Sequence, residues 1–433
     1  MPTRRSHALA VAVAVTGVAV SLSGCSAPAP EGPVTISFLI PGDETSVALA
    51  EAQVAAFEDV EPDITIDIET FDINDLASVP TRLATGEMED IFIFNASVGN
   101  VDKLNGGDSL IDLSGEEFYS AIPESYAEAV SDGEGYYAVP TASTSPFGIF
   151  YNKRVFDDLG AEPPSTWEEF FEIAADAKDA GYIPLVQTLG TTFTSQIITV
   201  GSFASVLQDD PTWLERFEDG GAASYAESAF GASLAAQQRL LEEGLLNEDF
   251  ATAVNTDGFA YLANGEAAMY PYLGSLVPGL AASFPDAVDD IGYFPVPDDD
   301  PSADPVTVNL GYAIYANKAI EGDAAKVGAV MKFLAFVVSQ EGCDIIAAYR
   351  LTGPFFQDGC ELPADVAPAL QDEVSYFGDD TSVTPGAYTL AGPENQIPIL
   401  VELISGFATA EQTAQKLDDD ARAAAQQLGL SGW

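Results

Sequence analysis

Between Val34 and Phe94 the hydrophobic pattern runs through five segments, strand-like and helix-like in turn, and nothing else restricts the fold as much. Val34-Thr35-Ile36-Ser37-Phe38 alternates apolar and polar side chains, as a strand does. Pro41-Gly42-Asp43 breaks it. Thr45 or Ser46 then stands where it can cap a helix whose Val47, Ala50, Val54 and Phe57 recur at helical spacing. Glu61-Pro62-Asp63 ends that helix, and Ile64, Ile66 and Ile68 alternate in a second strand. A helix from about Asp75 to Ala84 follows, stopped by Gly86. Ile91 to Phe94 is a continuous apolar run, the mark of a strand buried on both faces. Strands separated by helices in this way build a parallel sheet with right-handed crossovers.

The alternation resumes downstream. Ser165-Thr166-Trp167-Glu168 reads as a capping box after Pro164 and opens a helix ending at Gly181. Ile183 to Val186 reads as a strand, Tyr225 to Glu243 as a long helix, and Asp323 as the cap of a helix running to Val338. At 433 residues the chain exceeds one hydrophobic core, and 47% hydrophobic residues suffice for two. Two α/β lobes are therefore expected.

Charge and histidine content exclude whole classes of function. Fifteen basic residues stand against 68 acidic ones, a formal charge of -53 that opposes binding to nucleic acid or anionic lipid. The single histidine, His7, lies in the N-terminal segment, so the rest of the chain has none. Ser-His-Asp catalysis, His-ligated zinc and HExxH chemistry are closed to it. Asp298-Asp299-Asp300 with Asp304 offers oxygens to calcium, but it lacks the EF-hand spacing and glycine and reads as a solvated loop. Neither a metal nor a cofactor is expected.

Arg4 and Arg5, the apolar run Ala8 to Val20 and the small residues before Cys25 make a secretory signal over residues 1–24. The run is shorter than the roughly 20 residues that span a bilayer. Leu22-Ser23-Gly24-Cys25 resembles the bacterial lipobox. That resemblance implies lipid on Cys25 and a protein anchored to the extracytoplasmic face of the cell membrane, where two acyl chains hold stably and one is marginal. Residues 25–33 form a Pro-rich spacer. Cys343 and Cys360 are left in an oxidising compartment, either as a disulfide worth roughly 3 kcal/mol or as two unrelated buried thiols.

Several stretches, taken in order, resemble the extracellular solute-binding proteins of ABC importers, in the group that binds mostly sugars. Thr81 to Gly86 followed by Glu89-Asp90-Ile91 is similar to the family's helix, Gly, Pro-Asp and buried strand, with Glu89 in place of the usual Pro. Gly135 to Pro140, Phe150 to Lys153 and Pro163 to Phe170 resemble its first crossover between lobes. Leu262 to Met269 with Gly274 and Ser275 resembles a segment that places a ligand-contacting loop, although Leu276 stands where a Trp is common. Gly311 to Ile314 resembles the second return. The resemblance implies a two-lobed periplasmic-binding-protein-like fold of type II, each lobe a mainly parallel sheet flanked by helices and joined by a hinge. Lobe 1 would comprise 34–142 plus 293–338, and lobe 2 would comprise 143–292 plus 339–433. It also implies a monomer without catalytic residues, whose partners are a small carbohydrate and an ABC permease.

The cleft between lobes is where such a fold binds ligand. Asp43, Glu44 and Thr45 follow the first strand, where a carboxylate would accept from sugar hydroxyls or simply cap the helix. Phe94, Asn95 and Ser97 correspond to a ligand-contacting turn of the family, and Asn95 can both donate and accept. Ser143, Thr144 and Ser145 lie on the first crossover. Gln187 and Thr188 follow a second-lobe strand, with Phe193 beyond. Trp213 would stack on a ring or plug a helix interface. The family match adds Tyr272 and Ser275, then Asn309, Gly311 and Tyr312, and Pro354 with Phe355. Aromatic faces with amides and hydroxyls suit a neutral polyol. Two other readings stay open: a receptor for a cationic amine, and a glycosidase using paired carboxylates.

Overall fold

The computed structural model describes residues 33–72, 75–299, 305–378, 381–390 and 392–433. The signal, Cys25 and nearly all of the spacer lie outside the described residues, as do Asp300 and Asp304 of the acidic loop. In chain order the strands are β1 (Val34–Pro41), β2 (Ile64–Phe71), β3 (Ile91–Asn95), β4 (Ala138–Pro140), β5 (Ser145–Asn152) and β6 (Ile183–Leu185). They continue with β7 (Ala267–Leu273), β8 (Ile291–Phe294), β9 (Thr307–Asn309), β10 (Tyr312–Ala316) and β11 (Ser382–Val383). Two sheets result. One has the order β2-β1-β3-β10-β4, the other β11-β9-β5-β7-β6 with β8 also on β5.

In the first sheet β1 is parallel to β2 and β3, as the crossover pattern requires. β10 arrives from far along the chain and lies antiparallel between β3 and β4. The second sheet is mixed rather than mainly parallel. β5 is antiparallel to β7, β8 and β9, and β6 is parallel to β7. The reason is topological: β5 carries the chain away from the hinge, so strands that bring it back must run against β5.

Local chemistry fixes the helices. α1 (Glu44–Val60) is capped by Asp43, whose carboxylate accepts from the Ser46 amide at 3.0 Å, ahead of the Thr45 or Ser46 cap expected. Ser97 caps α2 (Val98–Lys103). α3 (Trp167–Ala180) opens on a capping box between Thr166 and Glu169, one residue later than the sequence pattern suggests, and ends at Gly181 with φ 91°. Three further helices matter below: α4 (Ala324–Val337), α5 (Gln340–Arg350) and α6 (Pro368–Tyr376).

The first core closes where Phe333 of α4 meets Phe38 and Phe57 edge-on, at centroid distances of 5.6 and 5.2 Å. Lys326 of α4 reaches Asp90 at 2.7 Å, and Asp90 also accepts from the Ser37 amide at 2.9 Å, which ties helix to sheet. In the second lobe α6 packs on β8. There Glu373 is 1% exposed, and neither carboxyl oxygen has a hydrogen-bond partner.

Three stretches depart from the lobe boundaries drawn from sequence. Residues 293 and 294 lie in β8 and residues 307–309 in β9, both paired with β5 of the second sheet. α5, counted with lobe 2, packs its Cys343 and Ile346 against Leu49 of α1 in lobe 1. A third segment, Leu351 to Phe355, therefore runs beside the two crossovers at 142–145 and 309–312. Cys343 and Cys360 are joined by a disulfide with Cα atoms 5.9 Å apart, which closes a loop around that segment.

Candidate functional site

The hinge segments converge on Ser143 and Thr144. Ser143 Oγ accepts from the Thr352 amide at 2.9 Å, and the Thr144 amide donates to the Pro354 carbonyl at 2.7 Å. Thr352 Oγ1 donates to the Thr144 carbonyl at 2.8 Å. Ser145 pairs with Asn309 as β5 meets β9, and the turn Asn309-Leu310-Gly311 leads into β10. Gly311 has φ 64°, which a side chain resists, so glycine there serves the backbone turn. Across β10, Tyr312 faces Asn95, and the Ala96 amide donates to the Gly311 carbonyl at 3.0 Å. Gly274, at the end of β7, has no room for a side chain: a Cβ would sit 1.8 Å from the Thr352 carbonyl oxygen. Its amide donates to the Pro146 carbonyl at 2.9 Å, so both lobes are stitched to one short stretch of chain.

Polar groups on the first crossover and at the start of α1 are left unsatisfied. Thr144 Oγ1, Ser145 Oγ and Asp43 Oδ2 are buried without a hydrogen-bond partner. Unpaired buried groups of this kind cost about 1–3 kcal/mol each, which a ligand's hydroxyls can recover. Burial opposes ionisation of Asp43. Hydrogen bonds from Ser46 and the positive charge of Arg350 outweigh it and hold the carboxyl below its usual range. Burial raises the Tyr312 hydroxyl above its ordinary value, the Arg350 charge pulling the other way. Glu44 and Thr45 are exposed on the first turn of α1. Ser97 gives its hydroxyl to the cap of α2, and Phe355 is buried against Leu49 and Ile346.

The second lobe offers an aromatic wall. Phe193 meets Tyr272 edge-on at 5.4 Å, and the Tyr272 hydroxyl accepts from Asn255 Nδ2 at 3.3 Å. Ser275 is half-buried beside it and makes no capping bond. Gln187 is buried and already engaged: its amide donates to Asn247 Oδ1 and its side chain to Thr194. Thr188 is engaged with the Tyr270 hydroxyl at 2.8 Å.

Two candidates are corrected. Trp213 is fully buried, stacked on Phe217 at 4.8 Å and edge-on to Phe203, Tyr225 and Phe230. It has no free face for a sugar and plugs the helical side of lobe 2. Phe94 points into the lobe 1 core, because neighbours on a strand face opposite ways and Asn95 takes the other side. Arg350 and Thr352 were missed. The signal for Arg350 was its rarity, one of fifteen basic residues, next to a segment already singled out.

A separate groove of about 620 Å³ lies beside α2, and none of the hinge residues lines it. Its Asp132 is saturated by the amides of Gly107, Glu134 and Gly135 and by the Tyr137 hydroxyl, as suits a solvated surface. Among the described residues no cluster of three His, Cys, Asp or Glu could hold a metal, and no helix is long and apolar enough to cross a membrane.

Residues 41–342 match the family model described as bacterial extracellular solute-binding protein. The chain is 23% identical over 275 residues to the multiple sugar-binding protein of Streptococcus mutans serotype c, an alignment spanning 62% of this chain and 63% of that one. Unliganded RafE of Streptococcus pneumoniae superposes with a TM-score of 0.73 at 19% identity, covering 92% of this chain and 99% of RafE. RafE with raffinose gives 0.70 at 18% identity, covering 90% and 99%. A sugar transporter protein of Bacillus licheniformis in complex with stachyose gives 0.64 at 16% identity, covering 90% and 100%. These likenesses fix the two-lobed fold, and the family match extends over most of the sequence: the chain belongs to the bacterial extracellular solute-binding proteins.

Proposed function

We propose that this protein captures a neutral sugar or oligosaccharide between its lobes and delivers it to an ABC permease. The reading rests first on the unsatisfied oxygens of Thr144 and Ser145 on the first crossover and of Asp43 at the start of α1. Hydroxyls both donate and accept, so a polyol can satisfy a carboxylate and two side-chain hydroxyls together. Asn95, Asn309, Tyr312, Tyr272 and Ser275 extend the same chemistry along both walls. Relatives described as binding multiple sugars, raffinose or stachyose support the choice of ligand. They are binding proteins, and the chain is read as a binding protein rather than an enzyme. Ligand that touches both lobes favours the closed state, which the permease reads. Lipid on Cys25 would keep a monomeric receptor at the extracytoplasmic face, and Cys25→Ser should release a protein that still binds.

Thermal unfolding with raffinose, stachyose, spermidine and amino acids tests the ligand class. A bound sugar at a hundredfold excess over Kd stabilises by about 2.7 kcal/mol. A shift with spermidine and none with any neutral sugar would replace the sugar by an amine, and turnover of an oligosaccharide would make the protein an enzyme.

A further inference from the structure

Arg350 is anomalous in its surroundings. Most of the basic residues described are committed to acids, among them Arg82, Arg154, Arg216, Lys326 and Arg422. Lys178 and Lys318 donate instead to backbone carbonyls. Arg350 makes neither kind of contact: among the described residues no acid lies within 4.0 Å of its guanidinium and no acceptor is bonded to it. Yet it is half-buried in a protein with 68 acidic residues.

Its root is held rigidly. Arg350 ends α5, which packs on α1 through Ile346 and Leu49 and carries the Cys343–Cys360 disulfide. The Arg350 carbonyl accepts from Ser143 Oγ at 3.5 Å, and Thr352 and Pro354 just beyond bond to Ser143 and Thr144. The guanidinium is close enough to Asp43 and Tyr312 for its charge to act on both. The packing of Ile346 on Leu49 sets this end of α5, with its five-donor fork, beside the start of α1, where Asp43 Oδ2 is a buried acceptor with no donor. Neither group satisfies the other.

Resting on the sugar reading above, we infer that Arg350 is a ligand-contacting residue which, opposite Asp43 Oδ2, selects an uncharged ring bearing adjacent hydroxyls. One hydroxyl donates to the carboxylate while its neighbour accepts from the guanidinium. An ammonium would satisfy Asp43 and be repelled by Arg350. A uronic acid would satisfy Arg350 and be repelled by Asp43. A neutral polyol satisfies both, so the pair rejects a net charge of either sign.

The test is calorimetric titration of raffinose, stachyose, spermidine and trigalacturonate into wild type, Arg350→Gln, Arg350→Lys and Asp43→Asn. Wild type should bind a neutral sugar. Arg350→Gln should weaken that binding about tenfold to a hundredfold, the range for a hydrogen bond to a charged group. It should also improve spermidine binding, since Asp43 is left unopposed, while Arg350→Lys should keep the discrimination against spermidine. Unliganded melting temperatures should stay together, because the side chain makes no contact that holds the fold. Sugar binding by Arg350→Gln within twofold of wild type, with Asp43→Asn impaired, would overturn this inference alone. Failure of wild type to bind either neutral sugar would instead overturn the reading on which it rests.

Discussion

Glu373 makes stability depend on pH in a direction opposite to most carboxylates. It lies on α6 against β8, with both oxygens buried and unbonded. Around it stand Tyr293, whose hydroxyl donates to the Phe147 carbonyl, Tyr376, and Asp372, which is paired with Lys153 at 3.7 Å. Burial first, and the Asp372 charge second, push the Glu373 carboxyl well above its ordinary range. The folded state therefore keeps a proton that the unfolded chain has released above about pH 4.3. Its contribution is fully present below that value and is lost as pH rises toward the folded value. The slope approaches about 1.4 kcal/mol per pH unit in the window between the unfolded and folded values. Glu373→Gln keeps the shape and removes the titration. Urea midpoints of wild type and variant at pH 5, 6 and 7 should diverge with that slope, the variant gaining as pH rises. Parallel curves would mean that Glu373 is ionised in the folded protein, and the assignment of a neutral buried acid would be wrong.

Three further outcomes are expected. Replacing Cys343 and Cys360 with Ser should cost about 3 kcal/mol in urea unfolding, and reducing agent should produce the same loss in wild type but none in the variant. Trp213→Ala should cost about 3–5 kcal/mol, since it empties the centre of an aromatic cluster, while titration finds sugar affinity unchanged. Gly274→Ala should lower both melting temperature and affinity, because its Cβ has to displace the Thr352 carbonyl at the hinge.

How far the sequence could be read depended on the range of the interactions. β1, β2 and β3 were legible because their periodicity is local and their turns carry Pro, Gly and Asp. The capping residues shifted by a position or two, since Asp43, Thr45 and Ser46 all have side chains able to cap and only the backbone course chooses among them. The mixed second sheet was not legible: whether β7 runs with or against β5 is set by residues more than a hundred positions apart. Trp213 looks the same in sequence whether it stacks on a sugar or on Phe217, and only the neighbours that the fold supplies decide. Arg350 was hidden for a similar reason. Nothing in the local pattern separates it from the other basic residues, and only the fold leaves it half-buried without an acid beside it.

The place of β10 between β3 and β4 has a kinetic side. The strands β5, β6, β7 and β8 all lie within residues 145–294, so most of the second sheet can pair without waiting for chain beyond residue 294. The first sheet cannot. Until Tyr312–Ala316 arrives, β3 and β4 have no strand between them, and closing that sheet requires a loop that encloses residues 141–311. Non-local pairing of this kind is slow. The lobe encoded first should therefore be the last to become protected against hydrogen exchange during refolding, with amides of β5 and β7 protected ahead of those in β3 and β10.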